Sequence, residues 1–304
     1  MTLKKNYYVY LFGARTPTGQ AFLNEIKILQ PTWEIISFSR SKGKKDYICD
    51  LDNPSDFKNS ELPLPNLILS FAPIWKLSHF LSNLSSKNNT FFKSLFGIIC
   101  CSSSSVLTKR FAFNKNDKNL VNKLKEAEKT IQSISCSYNF DCLIIRPTLI
   151  YGNVNNFKDK NLSLILKFLR ILPFIIFPSD TGLRQPIHAK ELAKVAFHYS
   201  RMIIEKTSSI QEFKNNSFLE IGGDQIMTYK NMIVELQKSL PKFDKARNSK
   251  IILIPNRIFY FLTSFIFLYS PKIFESLLRI TADLSNFKKV HEIIGKKSTK
   301  FPLE

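Results

Sequence analysis

The chain has 304 residues, of which 44% are hydrophobic, so it can bury a full core as one large or two small domains. Its 44 Lys and Arg outnumber 24 Asp and Glu, for a net charge of +20. The cations are spread along the chain without a dense run or interleaved base-stacking motifs, which argues against a nucleic-acid-binding protein. The five cysteines are odd in number and lack metal-ligand spacing, and no signal peptide is recognisable. We therefore expect a reduced, cytoplasmic protein without a metal site.

The first predicted element is a strand over Tyr7–Phe12, followed by a glycine-bearing turn and a predicted helix over Gln20–Leu29. Such a turn aims backbone N–H groups of the helix N-terminus at an anion, which the helix dipole also favours. Gly13 would supply the tight turn, and Gly19 would let the helix pack closely on the strand. Thr16 takes the middle position of the spacing, where glycine is usual. An ordinary turn without a ligand therefore stays the alternative to a nucleotide site.

Strand-like and helix-like segments alternate through the first half of the chain. Further strands are predicted at Glu34–Ser39, Asn66–Phe71, Leu95–Cys101 and Cys142–Arg146, and a further helix at Asn119–Ser133. Near-continuous apolar strands between helices are typical of a parallel sheet covered on both faces. After residue 152 the alternation breaks down, and segments rich in Phe, Ile and Leu predict a smaller lobe wrapped onto the first.

One uncharged segment near the C-terminus, Ile258–Ser270, is flanked by Arg257 and Lys272. A membrane-spanning helix needs about 20 apolar residues, and this segment is shorter. We therefore expect a buried helix or a surface-facing amphipathic element, and peripheral membrane contact stays open.

Several segments resemble the motifs of one family in their number, order and spacing. They are Gly13–Gly19, Cys49–Leu51, Ser70–Pro73, Arg146–Gly152, Arg184–Ala193, and Phe218–Gly223 with Thr228. Over about residues 5 to 300 the chain is similar to the extended short-chain dehydrogenase/reductase superfamily, of the NAD(P)-dependent epimerase/dehydratase type. The resemblance implies an α/β fold, a Rossmann-type doubly wound parallel sheet with a smaller C-terminal substrate lobe. It assigns 1–150, with 185–225 returning, to an NAD(P)-binding domain, and 151–184 and 226–304 to the lobe.

The same resemblance implies the residues that contact the cofactor. They are Gly13, Ala14, Arg15, Thr16, Pro17, Thr18, Gly19, Arg40, Asp50, Leu51, Phe71, Ala72 and Pro147. The second predicted strand ends in Ser39-Arg40-Ser41-Lys42, without the carboxylate that favours NAD at the ribose. Arg15, Arg40 and Lys42 suit a ribose 2′-phosphate, which a guanidinium can bind bidentately. We predict NADP as the cofactor, with NAD as the alternative; solvated loop charges are the other interpretation of these cations.

The family's general acid is missing from this chain. Its chemistry uses a tyrosine and a lysine four residues apart on the helix after the fifth strand. No tyrosine occurs between Tyr47 and Tyr138, and Asn119 stands four residues before Lys123.

A run of hydroxyls, Ser102–Ser105, lies where the family carries a substrate-facing serine or threonine. Ser103 and Ser104, with Lys109 or Lys123, are therefore the candidate catalytic residues for proton transfer. The alternative is a polar loop that merely ends a strand.

On the substrate side, the resemblance matches Arg184 with an arginine that meets the diphosphate of a nucleotide sugar, while His188 is expected to be structural. The implied function is NADP-dependent redox or epimerase chemistry on a nucleotide sugar or a similar carbonyl or alcohol substrate. A non-catalytic NAD(P)-binding scaffold or sensor, and a membrane-peripheral protein, are the alternatives. The family analogy also suggests a homodimer.

Overall fold

The computed structural model describes residues 6–30, 32–40, 47–54, 57, 62–87, 90–205 and 218–303. The strands among them are β1 (Tyr7–Phe12), β2 (Trp33–Ser39), β3 (Tyr47–Ile48), β4 (Leu67–Ser70), β5 (Gly97–Cys101), β6 (Asp141–Pro147), β7 (Ile150–Tyr151), β8 (Phe174–Pro178), β9 (Leu183–Arg184), β10 (Ile187–His188), β11 (Phe218–Gly222), β12 (Met227–Thr228), β13 (Lys250–Ile254) and β14 (Lys288–Lys289). The helices are α1 (Pro17–Leu29), α2 (Ile74–Lys87), α3 (Ser105–Thr108), α4 (Lys115–Tyr138), α5 (Asn161–Ile171), α6 (Ala189–Glu205), α7 (Tyr229–Ser239), α8 (Lys245–Asn248), α9 (Asn256–Tyr269), α10 (Pro271–Leu278) and α11 (Val290–Ile294).

Eight strands form one sheet in the order β14-β11-β6-β5-β4-β1-β2-β3. Every neighbouring pair in it is parallel. The chain runs outward from β1 to β3 and then crosses back to β4 on the other side of β1. This reversal creates a crevice at the carboxyl ends of β1 and β4, which is where ligands bind in doubly wound sheets. The predicted fold class is confirmed.

Successive side chains of a strand point to opposite faces of the sheet, and helices cover both faces, so both sets of side chains are buried. Val9 and Leu11 of β1 pack into the core under α1 and α6. Tyr10 and Phe12 of the same strand pack into the core under α2 and α4. This double burial explains why the strands are apolar without alternation.

The lobe has a third core, which the C-terminal segments share with the chain between β7 and β8. Its buried members include Leu162, Phe177, Met232 and Phe259. In the lobe, β8 and β13 form a parallel two-stranded sheet, α9 packs against β8, and α5 packs against α8. The domain boundaries drawn from the sequence stay a prediction.

The predicted elements of the first half are present, with ends shifted by a few residues. The largest shift is in α4, which begins at Lys115 rather than at residue 119. It starts earlier because Asn114 caps it: the Asn114 side-chain oxygen accepts a hydrogen bond from the Asp117 backbone N–H at 2.9 Å.

Candidate functional site

The β1–α1 turn has the backbone geometry that its glycines were expected to provide. Gly13 has φ of 78°, and a Cβ there would lie 2.5 Å from the backbone nitrogen of Ala72. A Cβ on Gly19 would lie 2.4 Å from the carbonyl oxygen of Gly13. Glycine is therefore required at both positions, at the first by conformation and close approach and at the second by helix–strand packing.

Thr16 replaces the middle glycine and caps α1. Its hydroxyl donates to the Gly13 carbonyl at 2.8 Å and accepts from the Gly19 N–H at 3.0 Å. The Thr16 N–H donates to the Gly13 carbonyl at 3.1 Å, and Pro17 has no backbone N–H. Of the N–H groups that begin the helix, that of Thr18 is left for an anion.

A cavity of about 320 Å³ opens beside this turn, at the carboxyl ends of β1 to β4. Gly13 and Thr16 form one wall, and Asp50 and Leu51 form another. The Asp50 carboxylate accepts a hydrogen bond from the backbone N–H of Asp52 at 3.1 Å. The cavity therefore joins the glycine turn to Asp50 and Leu51, two of the expected cofactor contacts.

The cavity is lined by three cationic side chains, those of Arg15, Arg40 and Lys76. Lys76 forms an ion pair with Asp52, which partly neutralises it. Ser39, where β2 ends, also lines the cavity in place of a carboxylate. The fourth cation of the sequence prediction, Lys42, lies outside the described residues. Arg15 and Arg40 thus share one cavity, as a binding site for a ribose phosphate requires.

The other expected cofactor contacts follow β4 and β6. The Phe71 N–H donates to the Phe12 carbonyl at 2.9 Å, and the Ala72 N–H donates to the Ser70 hydroxyl at 3.3 Å. Pro147 ends β6, and its carbonyl accepts from the N–H of Ser104 at 3.0 Å. The loop after β5 is therefore anchored to the end of β6.

A buried ion pair lies under the serine run. Arg146 donates to both carboxylate oxygens of Glu128, from Nε at 3.0 Å and from Nη2 at 2.6 Å, and from Nη1 to Glu220 at 3.1 Å. The Ser102 hydroxyl donates to the same Glu128 carboxylate at 2.5 Å. Ser102 therefore belongs to a structural network that connects β5, α4 and β6.

The two candidate serines differ in their surroundings. The Ser103 hydroxyl donates to the Ser105 hydroxyl and accepts from the Ser105 N–H, both at 3.1 Å. Ser104 precedes α3, but its hydroxyl makes no capping hydrogen bond. Of the two hydroxyls, that of Ser104 is the less constrained.

Lys109 is paired with a carboxylate rather than with these serines. Its Nζ donates to Asp117 Oδ1 at 2.8 Å, and Arg279 Nη2 donates to Oδ2 of the same group at 2.9 Å. Burial alone would raise the pKa of Asp117. The hydrogen bonds from Lys109 and Asn114 and the charges of Lys109 and Arg279 outweigh burial and lower that pKa to about 2. Asp117 is therefore an ionised link between the Rossmann domain and the lobe.

Lys123 points away from the serines. It is exposed and lines an outer groove with Trp75 and Asn119. The buried positions of this part of α4 are Asp117, Val121, Leu124, Ala127 and Glu128. This placement corrects the expected pairing of Lys123 with Ser103 or Ser104, because the apolar spacing turns both Lys123 and Asn119 outward.

Arg184 is buried, at 7% exposure, and its donors are used within the protein. Nη1 donates to the carbonyls of Leu183 at 2.7 Å and Ala282 at 2.6 Å, and Nη2 donates to the carbonyl of Arg279. The guanidinium carbon also lies 5.0 Å from the ring centroid of Tyr229. The structure thus places Arg184 as a brace inside the lobe, not as the open anion site that the resemblance implies.

His188 is buried at the start of α6, as a structural residue would be. Its Nδ1 accepts from the Lys190 N–H at 3.0 Å, and its own N–H donates to Glu191 at 3.1 Å. Burial, with smaller contributions from the positive charges of Lys190 and Lys194, lowers the pKa of His188 to about 4. The imidazole is therefore neutral at pH 7.

Sequence reasoning did not single out Lys76, Asp117 or Arg279. Asp117 had a local signal, since Asn114 followed three residues later by an acid is a helix-start pattern. Lys76 and Arg279 had none, because their partners are brought near by the fold.

The sheet order, the glycine turn and the crevice define a Rossmann-type α/β protein with an added lobe. No family model matches the chain, and no curated protein matches its sequence. Solved structures share its fold over most of its length. GDP-mannoheptose C4 reductase from Campylobacter jejuni, with NADP bound, has a TM-score of 0.62 and 13% identity, covering 99% of this chain and 96% of its own.

Two epimerases show the same similarity. UDP-glucuronic acid 4-epimerase from Bacillus cereus, in complex with NAD, has a TM-score of 0.57 and 14% identity, covering 90% of this chain and 95% of its own. UDP-glucose 4-epimerase from Thermotoga maritima, with UDP-glucose, has a TM-score of 0.55 and 10% identity, covering 82% and 90%. At these identities the likeness is one of fold, and the fold is the one that the resemblance predicts.

Proposed function

We propose that the chain binds NADP and is an NADP-dependent oxidoreductase or epimerase-like enzyme acting on a nucleotide sugar or a similar carbonyl or alcohol substrate. The observation that carries this proposal is the cavity at the carboxyl ends of β1 to β4, where Arg15 and Arg40 meet and β2 ends in Ser39. Proteins with the same fold include an NADP-bound reductase and a UDP-glucose-bound epimerase acting on sugars.

The residues present fit this cofactor. The Thr18 N–H at the start of α1 suits the pyrophosphate, since a helix N-terminus favours an anion. Arg15 and Arg40 suit the 2′-phosphate, because a guanidinium presents paired donors to phosphate oxygens. Asp50 and Leu51 line the same cavity, and we assign the adenine ring to their side of it. When bound, NADP would supply the hydride chemistry, and the protein would supply position and a proton route.

For the proton route we propose Ser104 as the first candidate and Ser103 as the second. The Ser104 hydroxyl makes no capping bond, whereas that of Ser103 is engaged with Ser105. Lys109 is held by Asp117 at 2.8 Å, so its contribution would be the positive charge that it adds near the loop. General acid–base assistance from such a weak acid would be small, and we expect slow turnover.

Calorimetric titration with NADPH and NADH tests the cofactor assignment. We expect tighter binding of NADPH, and we expect Arg40→Ala to weaken NADPH binding by roughly 10- to 100-fold, the value of one charge-assisted phosphate contact. NADH binding should change little, since it lacks the 2′-phosphate.

Arg201→Ala is the matched control, because Arg201 is an exposed arginine on α6 whose partner is Glu205. Equal affinities for the two nucleotides, or an unchanged preference in Arg40→Ala, would contradict the assignment.

The second candidate function is a non-catalytic NAD(P)-binding scaffold or sensor. It is favoured by the missing tyrosine and by the outward position of Lys123, which leave the serine loop without a nearby lysine of the expected spacing. Incubation with NADPH and a panel of nucleotide sugars separates the two. Cofactor oxidation supports the enzyme, whereas tight NADPH binding without turnover on any substrate supports the scaffold.

We also propose a homodimer and a reduced, cytoplasmic setting. The cysteines are all free, which is compatible with a reducing compartment. α2 and α4 pack side by side and leave an outer groove lined by Trp75 and Lys123, where a second copy would fit.

A further inference from the structure

Helix α9 (Asn256–Tyr269) lies on the surface of the lobe, although it is the most apolar of the helices described after residue 152. Only Phe259 and Thr263 of this helix are buried, one turn apart on one side. That side holds the helix on the lobe and packs against β8. A second side contacts α10 and the turn after it, through Phe267 against Phe274 and through the Tyr260 hydroxyl, which bonds to Thr281. The apolar side chains on the remaining side face outward.

The outward side is a continuous apolar stripe. Its members are Ile258, Phe261, Leu262, Phe265, Leu268 and Tyr269, and each is about half exposed or more. Their spacing of three and four residues places them on one face of a helix. Leu268 is 80% exposed and Tyr269 is 90% exposed, so the stripe grows more prominent toward the C-terminal end of α9.

This stripe is large for a monomer surface. Its three aromatic rings alone leave on the order of 400 Å² in water, given the usual size of such side chains. The largest apolar patch of an ordinary monomer is of this size or slightly larger, and patches of this kind mark interaction sites. The neighbouring β8–β13 pair adds Ile176 opposite Ile252, both about two-fifths exposed.

The charges that flank the stripe along the chain are of one sign. Residues 245–274 contain five cations, Lys245, Arg247, Lys250, Arg257 and Lys272, and no acid. Arg257 and Lys272 bracket the stripe at its two ends, and both are exposed. A second copy of the chain would bring these cations against their own copies, whereas an anionic lipid surface attracts them.

We propose that α9 is an interfacial anchor, whose apolar stripe enters the outer part of an anionic membrane while Arg257 and Lys272 meet lipid phosphates. Among the described residues, no helix is long and apolar enough to cross a membrane. An anchor of this kind lies in the plane of the surface and buries its apolar face only about 5–10 Å deep. Exposed lysine and arginine at its ends reach the headgroups along their flexible stems. The anchor does not depend on the proposed function, because it uses no residue of the cofactor cavity.

Flotation of the full chain with vesicles tests this anchor. Vesicles of phosphatidylglycerol mixed with phosphatidylcholine should carry the protein upward, and vesicles of phosphatidylcholine alone should carry much less. The variant Phe261→Glu/Leu268→Glu should lower partitioning by on the order of tenfold or more, since two carboxylates then enter the apolar layer. Arg257→Gln/Lys272→Gln should lower it by roughly 30-fold on anionic vesicles, because each of the two cations near such a surface contributes roughly 1 kcal/mol.

The matched control is Ile28→Glu/Leu29→Glu, which adds the same charge at two exposed apolar residues of α1. It should float like the wild-type chain, which separates the stripe from the general effect of the +20 charge. Circular dichroism of each variant checks that it is folded.

Three results would overturn the proposal. The wild-type chain could stay below the anionic vesicles, or the folded Phe261→Glu/Leu268→Glu variant could float as well as its control. The third is a wild-type dimer in sedimentation velocity that dissociates in that variant without any flotation, which would make a second copy the occupant.

Discussion

Replacing Arg184 by alanine is expected to destabilise the folded protein. The guanidinium is buried and connects β9 to the turn after α10 through the carbonyls of Arg279 and Ala282, about a hundred residues away in sequence. A hydrogen bond to a charged group contributes about 1.5–3 kcal/mol to stability. Among the described residues no carboxylate forms an ion pair with Arg184, and burial lowers its pKa. Burying the guanidinium without an ion pair costs free energy, and alanine avoids that cost, which offsets part of the stabilisation lost with the hydrogen bonds. We therefore expect a net decrease of about 3 kcal/mol in the free energy of unfolding.

Thermal and urea unfolding followed by circular dichroism measure this decrease. A loss of about 3 kcal/mol corresponds to a fall in Tm of roughly 5 °C for a chain of this size. Arg184→Lys keeps the charge but not the planar fork, so it should lie between wild type and alanine. Arg201→Ala, at an exposed ion pair, should cost less than about 0.5 kcal/mol. An unchanged Tm in Arg184→Ala with a raised KM for a nucleotide sugar would refute the structural role and restore the substrate-binding one.

Two further predictions concern the first turn of α4 and the loop that follows β5. The folded pKa of Asp117 is about 2 against an ordinary 3.8, so its stabilisation is present above about pH 4 and is lost as the pH falls through about 2. Asp117→Asn should lower the free energy of unfolding by about 2 kcal/mol at neutral pH and flatten its pH dependence, measured by urea unfolding, between about pH 4 and 2. An unchanged pH dependence in that range would contradict the ionised role of Asp117. Ser103→Ala/Ser104→Ala should reduce turnover on a confirmed substrate by about 10-fold, because serine is too weak an acid to give the usual assistance of about 100-fold or more. NADPH affinity should be unchanged, and Ser85→Ala is a remote control. Full activity in the double variant would remove both serines from the mechanism.

Much of the Rossmann domain was predictable because its signals are local and periodic. In β1, Val9 and Leu11 point to one core, and Tyr10 and Phe12 point to the other. Both faces of the strand therefore carry apolar side chains, which is typical of a strand buried on both faces. Gly13 was predictable because its positive φ excludes other residues at the turn.

The cofactor cavity was predictable only in part. The ends of consecutive parallel strands meet at one edge of a sheet, so Arg15, Arg40 and Asp50 could be expected near each other before any coordinates were known. The cation contributed by Lys76 could not, because it enters the cavity from the first turn of α2 and pairs with Asp52 on a separate loop.

The sequence by itself determined the strand–turn–helix units, because apolar periodicity, turn glycines and helix caps are read within a few residues. Only the tertiary structure decided what each face of those units meets. α4 has the expected helical spacing, yet its rotation about its own axis turns Lys123 to solvent and Asp117 inward toward Lys109 and Arg279. The stripe of α9 could equally have belonged to a buried helix by composition. It is exposed because no other described element of the chain covers it, and coverage depends on how distant segments pack rather than on the residues of the helix itself.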